Sequence, residues 1–228
     1  MSSKTYNRDS KLHQLLRDGR HYKIDKQQII QSTEDRQVVN IIMSGYFRKY
    51  LITNDGSVGA MIIYGPEDIF QVTLLYKKLF NQPLYHGIET HFYEALSPAE
   101  VCTVDADQLV EAIKNEPSLY PDLLQEVGRH LDFCINSIEN LALKNSEKRI
   151  AHMICYFARK FGTKSSEGVI INMPLTHQSI GEILNITRET VSTNIKGLRD
   201  NGLLIAKGNS SIVVPDLEKL EAEAYSQS

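Results

Sequence analysis

The 228-residue chain is 42% hydrophobic and 23% charged, with a formal net charge of −3. That balance is typical of a globular protein in water, and the length suffices for two domains of ordinary size. No apolar run is long enough to span a membrane, the polar start MSSKTYNRDSK lacks the apolar segment of a signal peptide, and the cysteines Cys102, Cys134 and Cys155 are widely spaced and odd in number. A cytoplasmic protein without membrane contact or disulfide framework is expected.

From about residue 22 to 105 the pattern is mainly β. Short apolar runs at Val38–Met43, Tyr46–Ile52, Val58–Tyr64 and Glu100–Val104 are separated by Ser44-Gly45, Asn54-Asp55-Gly56 and Gly65-Pro66-Glu67-Asp68. Short strands at regular spacing predict a small antiparallel barrel or roll. Ala106–Asn115 reads as a short helix.

A long helix follows, over about Asp122–Lys144, with Pro121 suited to its first turn. Leu124, Val127, Leu131, Cys134, Ile138 and Leu141 alternate at spacings of three and four, with Ile135 and Ala142 beside them. This is a heptad seam and predicts a parallel dimer. Asn145-Ser146-Glu147 breaks and re-caps the chain, and a further helix runs to about Phe161 before Gly162.

Leu175–Val191 (LTHQSIGEILNITRETV) then reads as two helices joined by a tight turn. Thr176 caps the first, whose apolar face is Ile180, Ile183 and Leu184. Gly181, costly inside a helix by ~1 kcal/mol, points to close approach of the second helix. Asn185 suits a left-handed turn residue. Thr187 caps the second helix, Val191, Ile195 and Leu198 form its buried stripe, and Gly202 follows its end. Arg188, Glu189, Ser192, Thr193 and Lys196 share the opposite face at spacings i, i+1, i+4, i+5 and i+8. A helix-turn-helix presents such a face to the DNA major groove. Arginine can bind guanine bidentately, glutamate can accept from the cytosine amino group, and lysine can hold a phosphate.

After Gly202, Leu203–Ile205 and Ile212–Val214 flank Lys207-Gly208-Asn209-Ser210 and read as a β-hairpin, a wing to which Val169–Ile171 can pair. Residues 146–214 hold nine Lys/Arg against five Asp/Glu, a net +4 that leaves −7 elsewhere. The basic balance therefore lies where phosphate attraction requires it.

The order β-roll, long helix, winged helix-turn-helix resembles the Crp/Fnr family of bacterial transcription regulators over nearly the whole chain. The resemblance is most specific in IGEILNITRETVS (Ile180–Ser192), MSGYFRKY (Met43–Tyr50) and GPEDIF (Gly65–Phe70). It implies an α+β fold: an antiparallel, jelly-roll-like β-roll sensor at 1–115, a dimerisation helix at 116–145 and a winged helix-turn-helix at 146–228. It also implies a homodimeric regulator, not an enzyme, that binds pseudo-palindromic double-stranded DNA, with RNA polymerase as a further candidate partner. In the family, a small molecule, a metal cluster or a redox signal at the sensor rotates the DNA domains about the long helix.

Arg188 and Glu189 match the family's arginine–glutamate pair that reads G·C pairs, and Ser192 matches a serine of its oxygen-responsive branch. Thr193 departs, because many members have a second base-reading arginine there. Its loss relaxes discrimination at one base pair by ~1–3 kcal/mol, so no operator sequence is assigned. Base reading is expected from Arg188, Glu189, Ser192 and Thr193. Phosphate contacts are expected from Thr176, Lys196 and the wing residues Lys207, Gly208, Asn209 and Ser210.

The sensor departs further. Family members that bind cyclic nucleotides carry a Gly-Glu cassette followed by an arginine. The matching region here, Gln71–Thr90, has no arginine, and none occurs between Arg48 and Arg129. Lys77 and Lys78 read as a solvated pair, so cAMP is not expected. No cysteine precedes Cys102, against an N-terminal iron–sulfur cluster, and His86 and His91 read as structural or surface residues rather than haem ligands. No cofactor or metal is expected, and the effector stays unidentified. Cys134 reads as a small buried hydrophobe, with oxidation across the dimer as the alternative. Two other readings remain. One is an effector-independent regulator with the β-roll as a scaffold or protein-interaction surface. The other is a metal-dependent β-barrel enzyme using His86, His91 and Glu94, although the close His-x-His pair of such barrels is missing.

Overall fold

The computed structural model describes residues 10–31, 37–52, 56, 58–82, 91–207 and 211–226. Its contacts divide the chain into two compact units, Met1–Asp132 and Phe133–Ser228.

In the first unit, helix α1 (Lys11–Arg17) is followed by β1 (Arg20–Ile24), β2 (Ile29–Gln31), β3 (Val38–Ser44), β4 (Phe47–Ile52), β5 (Val58–Tyr64) and β6 (Ile69–Phe70). Helix α2 (Val72–Phe80), β7 (Phe92–Ala95), β8 (Ala99–Asp105) and α3 (Ala106–Asn115) complete the roll, before a 3-10 turn (Pro117–Leu119) leads into α4 (Tyr120–Ala142). The strands form two antiparallel sheets, β1-β8-β3-β6 and β2-β7-β4-β5. Their inner faces meet through aromatic rings: Phe70 of β6 lies 4.7 Å from Tyr93 of β7 and 5.7 Å from Phe47 of β4, centroid to centroid.

The Met43–Tyr50 segment is strand-turn-strand, but it is not a hairpin. β3 and β4 lie in different sheets, and the turn carries the chain from one to the other. Gly45 makes that passage with φ +87, and a Cβ there would stand 2.5 Å from the Ala99 side chain. Only glycine fits both constraints.

Helices α1, α2 and α3 cover the first sheet. Leu12 and Leu16 of α1, Leu75 of α2, and Leu109 and Ile113 of α3 bury against Val39, Ile41 and Ile69, with Leu119 and Leu123 from the entry to α4. Helix α3 forms where its periodicity predicts. Asp105 accepts from the amides of Asp107 and Gln108 at its start, and Ala106, Leu109, Val110 and Ile113 make one buried face. Helix α4 begins two residues earlier than expected and ends at Ala142 rather than Lys144.

The second unit contains α5 (Ser146–Phe161), β9 (Thr163–Ser165), β10 (Gly168–Asn172), α6 (His177–Leu184), α7 (Arg188–Asp200), β11 (Ile205–Lys207), β12 (Ser211–Val214) and α8 (Leu217–Tyr225). Asn145 caps α5 through the Lys148 amide, as the sequence suggests. Ile150, Ile154 and Phe157 make α5 the central post, packed on α7 and α8. β10 pairs with β12 in a sheet ordered β11-β12-β10-β9, so Val169–Ile171 joins the wing. The hairpin's first strand starts at Ile205, not Leu203. The Leu203 amide is used by the carbonyl of Leu198 at the α7 terminus, and Leu204 turns into the core. Among the described residues, no helix is long and apolar enough to cross a membrane.

Candidate nucleic-acid interface

Local hydrogen bonds build the two helices of the site. The Thr176 hydroxyl accepts from the Ser179 amide at 3.0 Å, and the Ser179 hydroxyl accepts from the Thr176 amide at 2.9 Å, a reciprocal cap. Helix α6 ends at Asn185, which adopts the left-handed conformation at φ 52 and ψ 52. The Thr187 hydroxyl accepts from the Thr190 amide at 3.1 Å and starts α7. Val191, Ile195 and Leu198 are buried on one side of α7. On the other side Arg188, Glu189, Ser192, Thr193 and Lys196 are all exposed and lie together on one face.

Two residues that the sequence reading missed join this surface. His177, the first residue of α6, and Arg199, in the last turn of α7, line a shallow concavity with Ser192, Thr193, Ile195 and Lys196. Arg199 follows Arg188 by eleven residues, three helical turns, so its place on the face was legible from spacing. His177 lies on another helix, and only the packing of α6 on α7 brings it there. Among the described residues, no acid is paired with Arg188, Lys196 or Arg199.

Lys207 lies at the end of β11 with its ammonium on Glu167, an exposed ion pair. Such a pair is worth about 0–1 kcal/mol, so a phosphate can compete for the lysine. Gly208, Asn209 and Ser210, also expected to hold phosphate, lie outside the described residues.

The expected seam runs along α4 as an exposed apolar stripe. Leu124 is 70% exposed, Leu131 58%, Ile138 67% and Leu141 72%; Ile135 and Cys134 are exposed beside them, and Val127 is half-buried. The expectation that Cys134 is a buried hydrophobe therefore does not hold within one chain, where Cys134 is exposed and none of the described residues covers this face. Cys102 and Cys155 are buried, and burial pushes both thiols up, Cys155 to about 12.

The sensor shows a second difference. Lys78 is not solvated: its ammonium meets Asp107 of α3 at 2.6 Å, while Lys77 is exposed. Glu94 is held by two bonds from Arg48, at 2.8 and 2.9 Å. His91 is buried, and His86 lies outside the described residues. Among the described residues, no three His, Cys, Asp or Glu side chains cluster as metal ligands do.

Residues 148–223 match the Crp-like helix-turn-helix domain. The chain is 24% identical over 184 residues to the CRP-like cAMP-activated global transcriptional regulator of Mycobacterium tuberculosis, covering 81% of this chain and 78% of that protein. It is 24% identical over 166 residues to the global nitrogen regulator of Synechocystis sp., covering 73% and 71%. The fold is similar to that of FixK2 from Bradyrhizobium japonicum, with a TM-score of 0.74 at 19% identity over 92% of this chain and 98% of the other. Residues 148–223 thus belong to the Crp-like helix-turn-helix domain family, and with the β-roll, the long helix and the helix-turn-helix in that order the chain is similar to Crp/Fnr regulators and is a DNA-binding transcription regulator.

Proposed function

We propose that the protein acts as a homodimer on a pseudo-palindromic operator, with one α7 in each of two major-groove half-sites. The exposed stripe of Leu124, Leu131, Ile138 and Leu141 carries the dimer reading: four large apolar side chains on one face of a 23-residue helix stay in water unless a second copy covers them. Arg188, Glu189, Ser192 and Thr193 then meet base edges. Thr176, Lys196, Lys207 and the wing hold phosphates.

The β-roll is the place of the effector, and that effector is not cAMP. The one cation known to neutralise a cyclic phosphate in relatives has no counterpart here, since no arginine lies between Arg48 and Arg129 and Arg48 is committed to Glu94. Titration of cAMP into the protein should give no binding heat and no change in DNA affinity.

The central test is selection of sites from a random duplex pool by the ligand-free, reduced protein. A two-fold symmetric motif with half-sites about one helical turn apart supports the reading. An enriched motif without symmetry, bound by a monomer, overturns it.

A further inference from the structure

The last two turns of α4 are two-faced. Ile138 and Leu141 lie on the exposed apolar stripe, whereas Asn140, between them in sequence, is only 6% exposed. Asn140 and Arg149 bond each other reciprocally across the elbow at Leu143–Asn145. The Asn140 amide donates to the Arg149 carbonyl at 2.8 Å, and Arg149 Nε donates to Asn140 Oδ1 at 3.2 Å. The Asn140 amide also lies 3.3 Å from Nδ1 of His152, which is buried one turn further along α5.

Arg149 reaches the other way as well. Its Nη2 donates to the carbonyl of Leu184 at 2.6 Å, the last residue of α6, next to the left-handed Asn185. Three residues earlier, the Ser146 hydroxyl accepts from the Asn194 side chain of α7 at 2.7 Å. The first turn of α5 is thus bonded to both helices of the helix-turn-helix and, through one guanidinium, to the end of α4. By contrast with its broad packing on α7 and α8, the α5 backbone comes close to that of α4 at few positions.

We infer that Asn140 and Arg149 are positioning residues for operator recognition: their clasp sets the angle of each helix-turn-helix on the dimer seam, and so the separation and rotational phase of the half-sites that the dimer accepts. A buried amide that donates to the Arg149 backbone carbonyl and accepts from the half-buried guanidinium has one good geometry, and charged donors make the stronger hydrogen bonds. Other α4–α5 links seen among the described residues are the Glu139–His152 ion pair at 3.6 Å and, two turns from the elbow, the edge-on rings of Phe133 and Tyr156 at 6.0 Å. The inference rests on the homodimer proposed above.

The test compares wild type, Asn140→Ala and Arg149→Lys on three duplexes: the selected operator, and versions with one base pair added or removed between half-sites. One base pair rotates a half-site by about 35°. Wild type should lose about tenfold or more in affinity on the altered spacings. Both variants should lose only about two- to threefold there, while keeping the half-site base preference and sedimenting as dimers. Lysine retains a donor for Leu184 but cannot bridge to Asn140 as well, so its agreement with the alanine variant isolates the bridge. Variants that discriminate spacing as wild type does overturn the inference. So do variants that weaken equally on all three duplexes and lose base preference, because that pattern marks a merely structural role. Wild type that sediments as a monomer on the operator overturns the dimer reading itself, and the clasp with it.

Discussion

Gly181 and Ile186 touch backbone to backbone across the turn of the helix-turn-helix. The Ile186 amide donates to the Gly181 carbonyl at 2.9 Å, and a Cβ on Gly181 would stand 2.7 Å from the Ile186 carbonyl oxygen. The chain leading into α7 therefore lies directly on the glycine. Gly181→Ala should force the turn outward and cost about 1–3 kcal/mol by overpacking. Thermal unfolding should show the loss, and operator affinity should fall with it. An unchanged melting temperature would mean that the turn has room to move.

The face of α7 predicts a division of labour. Glu189→Ala should relax the preference at one base pair by about 1–3 kcal/mol. Lys196→Ala and Arg199→Ala should weaken all sequences alike and each lower the slope of log affinity against log salt by about 1. Binding titrations on matched and mismatched duplexes at several salt concentrations separate the two behaviours.

The seam predicts an assembly phenotype. Leu131 is 58% exposed in the single chain, so Leu131→Glu leaves the fold of each copy intact. Each buried leucine contributes about 1.5–3 kcal/mol, so a charge in its place should weaken dimerisation by about a hundredfold or more. Sedimentation should then report monomers at concentrations where wild type is dimeric.

Cysteine labelling reads the same surface without mutation. Cys134 is exposed in one chain, while Cys102 and Cys155 are buried with raised thiol pKa values. An alkylating reagent should leave Cys102 and Cys155 untouched in native protein. It should label Cys134 in the Leu131→Glu monomer faster than in the wild-type dimer. Equal rates in the two proteins would place Cys134 outside the seam.

Two buried histidines predict the response to acid. His13 in the first unit and His152 in the second are held below the ordinary value of 6.5, in each case mainly by burial. Glu67 partly opposes the shift at His13 and Glu139 at His152; Arg129 and Arg17 add to the first, Arg159 to the second. A depressed folded pKa means that the unfolded chain binds protons first as pH falls. The stability from these neutral imidazoles is thus complete above about pH 6.5 and is lost as pH falls through the lower folded values. Melting temperatures measured from pH 7.5 to 5 should fall with acid, and less steeply in His152→Gln and His13→Gln.

The sequence by itself determined the helix-turn-helix, its caps and its exposed face, because each depends on bonds reaching three or four residues along the chain. Thr176 to Ser179, Thr187 to Thr190 and Asn145 to Lys148 are all of that kind. It also determined the periodic helices α3, α5 and α7 and the apolar stripe of α4, since a 3.5- to 3.6-residue repeat states which face is apolar. Short elements with little periodicity, α1, α2, β7, β9 and α8, gave no comparable signal. Tertiary structure alone decided that β3 and β4 belong to different sheets, that Lys78 meets Asp107 and Lys207 meets Glu167, and that His177 and Arg199 line one concavity. It alone decided the clasp of Asn140 on Arg149 as well. Those pairings join residues from separate elements, and no local hydrogen bond or repeat records which distant partner packing will supply.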